Sequence, residues 1–285
     1  MNLLEAYELY ENDKRFEGYK ETTLEGYRWQ NEKMYEYFGN KPVDEIMVFD
    51  LKRFLNEKYG HLKPSSLGAR IRFIRSFFRY LSDEGICKSN VSTKLKEPKE
   101  GSRIPKYYNK EEVELLREAC KIPLEHALLE FFYSTGCRVG EVEKLNVGDI
   151  NWENRSCFVI GKGDKQREVY FSIKAKIWMQ WYLNARSDAD ENVLNESPLF
   201  VTQRRPFRRL SIDMIRIVFK RIGRGANIDI HPHRWRHTFA THMIDNGAPL
   251  EGVQDLLGHV KIETTKIYCQ LSGARRKSIH SSYFG

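Results

Sequence analysis

Residues 231–268 read HPHRWRHTFATHMIDNGAPLEGVQDLLGHVKIETTKIY, and five of the chain's eight histidines fall within them. Pro232 suits a first helical turn, where its missing N–H would be unpaired anyway. Asn246-Gly247 is a stop signal, so the spacing predicts a helix over 232–245. His233 and Arg236 are three apart and share one face of it. Trp235, Phe239 and Met243 take another face and fit a core. A second helix over 250–257 ends at Gly258, and His259 follows at once. A third short helix would then carry Tyr268. The stretch thus offers histidines, an arginine and a phenol to one site.

That set suits phosphoryl transfer without a metal. Attack on a phosphodiester builds charge on its non-bridging oxygens, and planar, permanently charged guanidinium forks match it. Histidines add hydrogen bonds or move a proton. A tyrosine can be the nucleophile, splitting one hard step into two through a covalent phosphotyrosine. A second arginine and an acid for the leaving group must come from elsewhere. His233 and His237, four apart, have the spacing of a metal pair. Arg234 and Arg236 would repel a cation there and no third ligand is evident, so neither a metal nor another cofactor is expected.

Upstream, residues 1–96 read as all-helical. Leu3, Leu4, Tyr7 and Tyr10 begin an apolar stripe, and Thr22-Thr23-Leu24-Glu25 resembles a helix start leading to Gly39-Asn40. Val43-Asp44 is expected to open a third helix reaching Tyr59-Gly60. A fourth is expected from Lys63-Pro64 to Leu81. No acid lies between Glu57 and Asp83, whereas Lys58, Lys63, Arg70, Arg72, Arg75 and Arg79 do. Charge of one sign over so long a run points to DNA backbone contact rather than a merely solvated face. Residues 97–106, EPKEGSRIPK, read as an extended linker.

The second part restarts at Asn109 with helices expected over 110–120 and 123–135. TGCRVGE at 135–141 sets Arg138 and Glu141 three apart, on one face if the segment is helical. Strand-like runs follow at 148–152, 156–160 and 166–171, with Asn154-Arg155 and Gly161-Lys162-Gly163-Asp164 as turns. The segment QRRPFRRLSIDMIRIVFKRIGR, 203–224, is strongly basic; Arg204, Arg205 and Arg208 are candidate DNA contacts. With 285 residues the chain holds one large or two ordinary domains. A net charge of +8 leans toward a polyanionic partner. Five widely spaced cysteines contain no C-x-x-C, which fits a reducing cytoplasm and excludes a disulfide framework or zinc ribbon. No apolar run approaches a membrane helix, and the polar, acidic N-terminus does not read as a signal peptide.

Four motifs in order, TGCRVGE (135–141), VIGKGDKQR (159–167), HPHRWRHTFATH (231–242) and LGHVKIETTKIY (257–268), carry a resemblance to the tyrosine recombinase, or phage integrase, family, most nearly its compact Xer-like members. The resemblance spans nearly the whole chain. It implies a mainly α fold with a small antiparallel β-sheet. A four-helix core-binding domain (1–96) would join through a linker (97–106) to a helical catalytic domain with a three-stranded sheet (107–285), the two forming a C-shaped DNA clamp. It implies that Arg138 and Arg236 clamp the scissile phosphate, that Lys162 is the general acid, and that His233 and His259 hydrogen-bond the phosphate. Tyr268 would attack phosphorus, and Glu141 would hold a neighbour in place. Lys63, Arg70, Arg72, Arg75 and Arg79 would contact DNA. His231 departs from the small residue relatives often carry there, but spacing to Arg236 favours His233 as the site histidine.

The activity implied is site-specific DNA recombination through a covalent 3′-phosphotyrosyl intermediate, in a cytoplasmic, nucleoid-associated protein. Partners implied are double-stranded DNA and a synaptic tetramer of this chain, with room for a partner recombinase or accessory factor. The tail after Tyr268, with Leu271, Ile279, Tyr283 and Phe284, would dock on a neighbouring protomer. Two alternatives share parts of this pattern: a type IB topoisomerase-like enzyme, and a catalytically inactive DNA-binding regulator. A plasmid with one site against two would separate the first, and capture of a covalent adduct the second.

Overall fold

The computed structural model describes residues 1–99, 101, 105–161, 164–186, 195–258, 281 and 284. Lys162, His259, Tyr268, the third short helix and all of the tail but Ser281 and Phe284 lie outside the described residues. The chain divides into two units, Met1–Ser102 and Arg103–Gly285.

The first unit opens on a reciprocal cap. The Asn2 side chain accepts from the Leu4 and Glu5 N–H groups while the Glu5 carboxylate accepts from the Asn2 N–H, starting α1 (Leu3–Phe16). Next come α2 (Glu21–Phe38), α3 (Val48–Tyr59) and α4 (Pro64–Asp83), the last with Pro64 in its first turn. The expected third helix from Val43 is corrected. Val43–Glu45 is a short 3-10 turn, and Ile46 and Met47 are extended before α3 begins. Val43 and Ile46 are both buried, so the chain turns inward here to cover the core before it can run as a helix. The core is aromatic: Tyr10, Phe54, Phe73, Phe77 and Phe78 are all buried, and Tyr10 meets Phe77 edge-on at 5.4 Å. Each such side chain contributes about 1.5–3 kcal/mol by leaving water.

In the second unit Asn109 and Glu112 cap α5 (Lys110–Glu118) reciprocally. The central helix is α6 (Pro123–Thr135), whose Ala127, Leu128, Leu129, Phe131 and Phe132 are fully buried. After the single turn α7 (Val139–Glu143) comes an antiparallel sheet in the order β1 (Ile150–Asn151), β2 (Ser156–Ile160), β3 (Gln166–Tyr170). The first strand is shorter than expected, because Val147–Asp149 forms a 3-10 turn whose Asp149 side chain accepts from the Asn146 N–H. β2 and β3 pair from Ser156 opposite Tyr170 to Ile160 opposite Gln166. Among the described residues the helices α8 (Ile173–Asn184), which the sequence reading did not anticipate, α9 (Ile212–Ala226), α10 (Pro232–Asp245) and α11 (Leu250–Leu257) follow. Trp235 of α10 is completely buried between Tyr108 and Tyr133. The mainly helical fold with one three-stranded sheet is as read from the sequence. Among the described residues no helix is long and apolar enough to cross a membrane.

Candidate active site

Two helices end at left-handed glycines, and the carbonyls left over there hold arginines. α6 ends at Gly136 (φ 61°) and α11 at Gly258 (φ 63°). The last carbonyls of a helix lack internal partners and sit at the negative end of its dipole. Arg236, on α10 and 3% exposed, donates through Nη1 to the Gly136 carbonyl at 3.0 Å and through Nη2 to the Leu257 carbonyl at 2.5 Å. Arg167, on β3, donates through Nε to the Leu256 carbonyl at 3.1 Å. Neither glycine tolerates a side chain. A Cβ on Gly136 would meet the Phe239 ring at 2.6 Å, and one on Gly258 would meet Cδ of Arg167 at 2.9 Å.

Glu141 lies at the centre of this arrangement, 4% exposed. Its Oε2 accepts from the Arg138 backbone N–H at 2.7 Å, which caps α7, and its Oε1 accepts from Arg138 Nη1 at 2.9 Å. Arg167 adds a two-pronged fork, with both N–O distances 2.8 Å. Burial alone would raise the Glu141 pKa, but the hydrogen bonds from Arg167 and from the Arg138 N–H outweigh it and hold the carboxyl below the usual range. Removing one partner of so buried a pair costs about 3–5 kcal/mol, because it strands the other charge. Arg138 itself keeps about a third of its side chain exposed (36%), so one guanidinium edge is anchored while the group remains open to a ligand.

His233 is one turn before Arg236 on α10. Partial burial, then the charges of Arg236 and Arg138, lower its pKa, so its ring stays neutral at neutral pH. His231 is turned elsewhere: its Nε2 pairs with Asp229 Oδ2 at 3.1 Å, so of the two early histidines it is His233 that feels the charges of Arg236 and Arg138. The β2–β3 hairpin also begins here. The Gly161 N–H donates to the Lys165 carbonyl at 2.9 Å, and a Cβ on Gly161 would lie 3.5 Å from Glu141 Oε1. Of the residues read as a site, the structure therefore brings Arg138, Glu141, His233 and Arg236 together. Lys162, His259 and Tyr268 lie outside the described residues. The sequence reading missed Arg167, Gly136 and the carbonyls of Leu256 and Leu257. Arg167 does close the motif VIGKGDKQR, which was the available signal.

The basic residues read as DNA contacts divide. Lys63, Arg72 and Arg79 are exposed in the first unit. Arg70 lays its guanidinium over the Trp29 ring at 4.4 Å and near Tyr59 at 5.5 Å, while Arg72 and Arg75 share the Glu97 carboxylate. In the second unit Arg204, Arg205 and Arg208 are exposed in the segment before α9. Arg209 beside them is structural, donating to the Glu143 and Leu145 carbonyls and to Asn146 Oδ1.

The sequence profile of the phage integrase family matches residues 106–275, well over half of the chain. The chain belongs to the phage integrase family. It is a Xer-like tyrosine recombinase: tyrosine recombinase XerC of Oceanobacillus iheyensis is 34% identical over 242 residues, covering 82% of this chain and 79% of that protein. Tyrosine recombinase XerD of the same organism is 33% identical over 278 residues, 93% of each chain. Among solved structures, a lambda integrase tetramer bound to a Holliday junction shares the fold, with a TM-score of 0.74 and 19% identity over 94% of this chain and 77% of that one. The recombinase is thus a tyrosine-type site-specific enzyme.

Proposed function

We propose that this recombinase cleaves and rejoins duplex DNA by transesterification at one phosphate, held between Arg138 and Arg236. The observation that carries this reading is the pair of anchored guanidiniums, Arg138 held by Glu141 and Arg236 by two helix-end carbonyls, whose charges both act on His233. Fixed positive groups aimed at the non-bridging oxygens stabilise the charge that builds there, at no cost of reorganisation during the reaction. His233 donates a further hydrogen bond. The family motifs carry the remaining roles to positions in this sequence: Tyr268 attacks phosphorus, Lys162 protonates the departing 5′ oxygen, and His259 supports the phosphate. The product of the first step is a 3′-phosphotyrosyl link and a free 5′ hydroxyl, and attack by another 5′ hydroxyl reverses it.

The first unit, with the basic face of α4, serves as a DNA-binding domain, and the second carries the chemistry. Assembly on DNA is as a tetramer. Supporting this, the same fold occurs in the lambda integrase tetramer on a Holliday junction. A duplex selected by the wild-type protein from a randomised pool, nicked to trap the product, provides the test. The wild type is expected to form an adduct that survives denaturation, and Tyr268→Phe to bind the same duplex and form none. An adduct in Tyr268→Phe, or wild-type cleavage abolished by a chelator and restored by zinc or magnesium, would overturn the assignment.

A further inference from the structure

Arg167 sits where three segments meet. It lies on β3 opposite Val159, at the base of the hairpin that runs through Lys162. Its fork grips both oxygens of Glu141, which in turn holds the backbone and guanidinium of Arg138. Its Nε grips the Leu256 carbonyl at the end of α11, two residues before Gly258 and three before His259. The aliphatic stem passes so close to Gly258 that only glycine fits there. Only 13% of the side chain is exposed, so its donors serve the protein rather than a ligand.

We infer that Arg167 is a positioning residue, setting the spacing of the Arg138, Lys162 and His259 segments through one guanidinium. This rests on the reading above, in which those three residues act on the phosphate. The chemistry favours arginine specifically. A planar fork meets a carboxylate at two points and has Nε left for a third partner, whereas a lysine ammonium is a point charge without fixed geometry. A loss of alignment near 1 Å can cost on the order of 10²-fold in rate.

The test compares wild type, Arg167→Met and Arg167→Lys on the selected duplex. Melting temperature, duplex Kd and the single-turnover rate of adduct formation at saturating protein are read together. Both variants are expected to bind the duplex within about threefold of wild type. The adduct rate should fall about 10²-fold in Arg167→Met and at least about tenfold in Arg167→Lys. Arg138 is only one of the three segments it serves, so the double variant Arg138→Ala/Arg167→Met should lose less than the product of the two single losses.

A merely structural arginine would give another pattern: a lower melting temperature with an unchanged adduct rate in the folded protein, or losses that add in the double variant. Either result overturns the positioning role. If Arg167→Met does not fold, Arg167→Lys decides the matter, because it keeps the charge beside Glu141 and loses the fork and the fixed Nε bond to Leu256. A wild type that forms no adduct would instead overturn the proposed function and is told apart on the same gel.

Discussion

Gly136→Ala should destabilise the second unit by far more than its one added methyl suggests. Gly136 has φ 61°, in the left-handed region, where a side chain costs about 1–2 kcal/mol. The new Cβ would also stand 2.6 Å from Cδ1 of Phe239 and 3.1 Å from Cδ2 of Leu257. Both neighbours are buried, so neither can simply swing away, and overpacking adds about 1–3 kcal/mol. The sum is about 2–5 kcal/mol, a shift of roughly 1–2 M in urea midpoint at ordinary denaturant slopes. Gly247→Ala is the matched control, since Gly247 also has positive φ (95°) but nothing within 4 Å of the added Cβ. It should cost the conformational part alone. Tryptophan fluorescence is a suitable probe, because Trp29 is the only tryptophan of the first unit and the other four belong to the second. The Gly136 carbonyl also holds Arg236, so adduct formation should fall about 10²-fold as well. If Gly136→Ala is no less stable than Gly247→Ala, the Phe239 ring yields freely and the reasoning fails.

If Lys162 is the general acid, Lys162→Ala should cleave ordinary DNA about 10²–10⁴-fold slower. A strand with sulfur at the 5′ bridging position should be cut at close to the wild-type rate, since a thiolate leaves without a proton. Equal impairment on both strands would make Lys162 a binding residue. DNA affinity should fall steeply with salt, and Arg75→Glu or Arg79→Glu should each lower that slope by about 0.9, the value of one phosphate contact. Unchanged slopes in both would mark the α4 basic run as a solvated face. Burial, then His233 and Arg236, lower the His237 pKa to about 4. An unfolded histidine titrates near 6.5, so below that pH the unfolded chain binds the extra proton, and stability falls between about pH 6.5 and 4. His237→Gln should flatten that fall in urea midpoints; an equally steep loss in the variant would clear His237 as its cause.

What the sequence shows plainly is whatever depends on near neighbours. Pro232 and Asn246-Gly247 mark both ends of α10, and Gly258 closes α11, because these residues act on backbone torsions beside them. Spacing along one helix is equally visible, which is why His233 and Arg236 could be paired at once. α8 stayed hidden because its apolar residues lie all round it: Ile173, Ile177 and Trp181 are exposed while Ala175, Met179 and Tyr182 are buried, so no one-sided pattern exists. Val43 misled because a buried pair three residues apart suits a 3-10 turn as well as a helix. Arg167 could not be assigned from local pattern, since its partners are 26 and 89 residues away. The stacking of Arg70 on Trp29 was hidden for the same reason.

The anchoring of Arg236 also says when in the life of the chain the site can exist. One of its carbonyls comes from 100 residues earlier and the other from 21 residues later. Contacts between such distant segments form late in folding, after the entropy of closing the intervening loops has been met. During synthesis, a nascent chain whose α11 has not yet emerged and docked has Arg236 without its Leu257 anchor and Arg167 without Leu256. The proposed phosphate clamp is then unfinished even when the first unit, with its basic helix, is already able to fold. On the function proposed above, such a chain gains its grip on DNA before it gains the means to cut it.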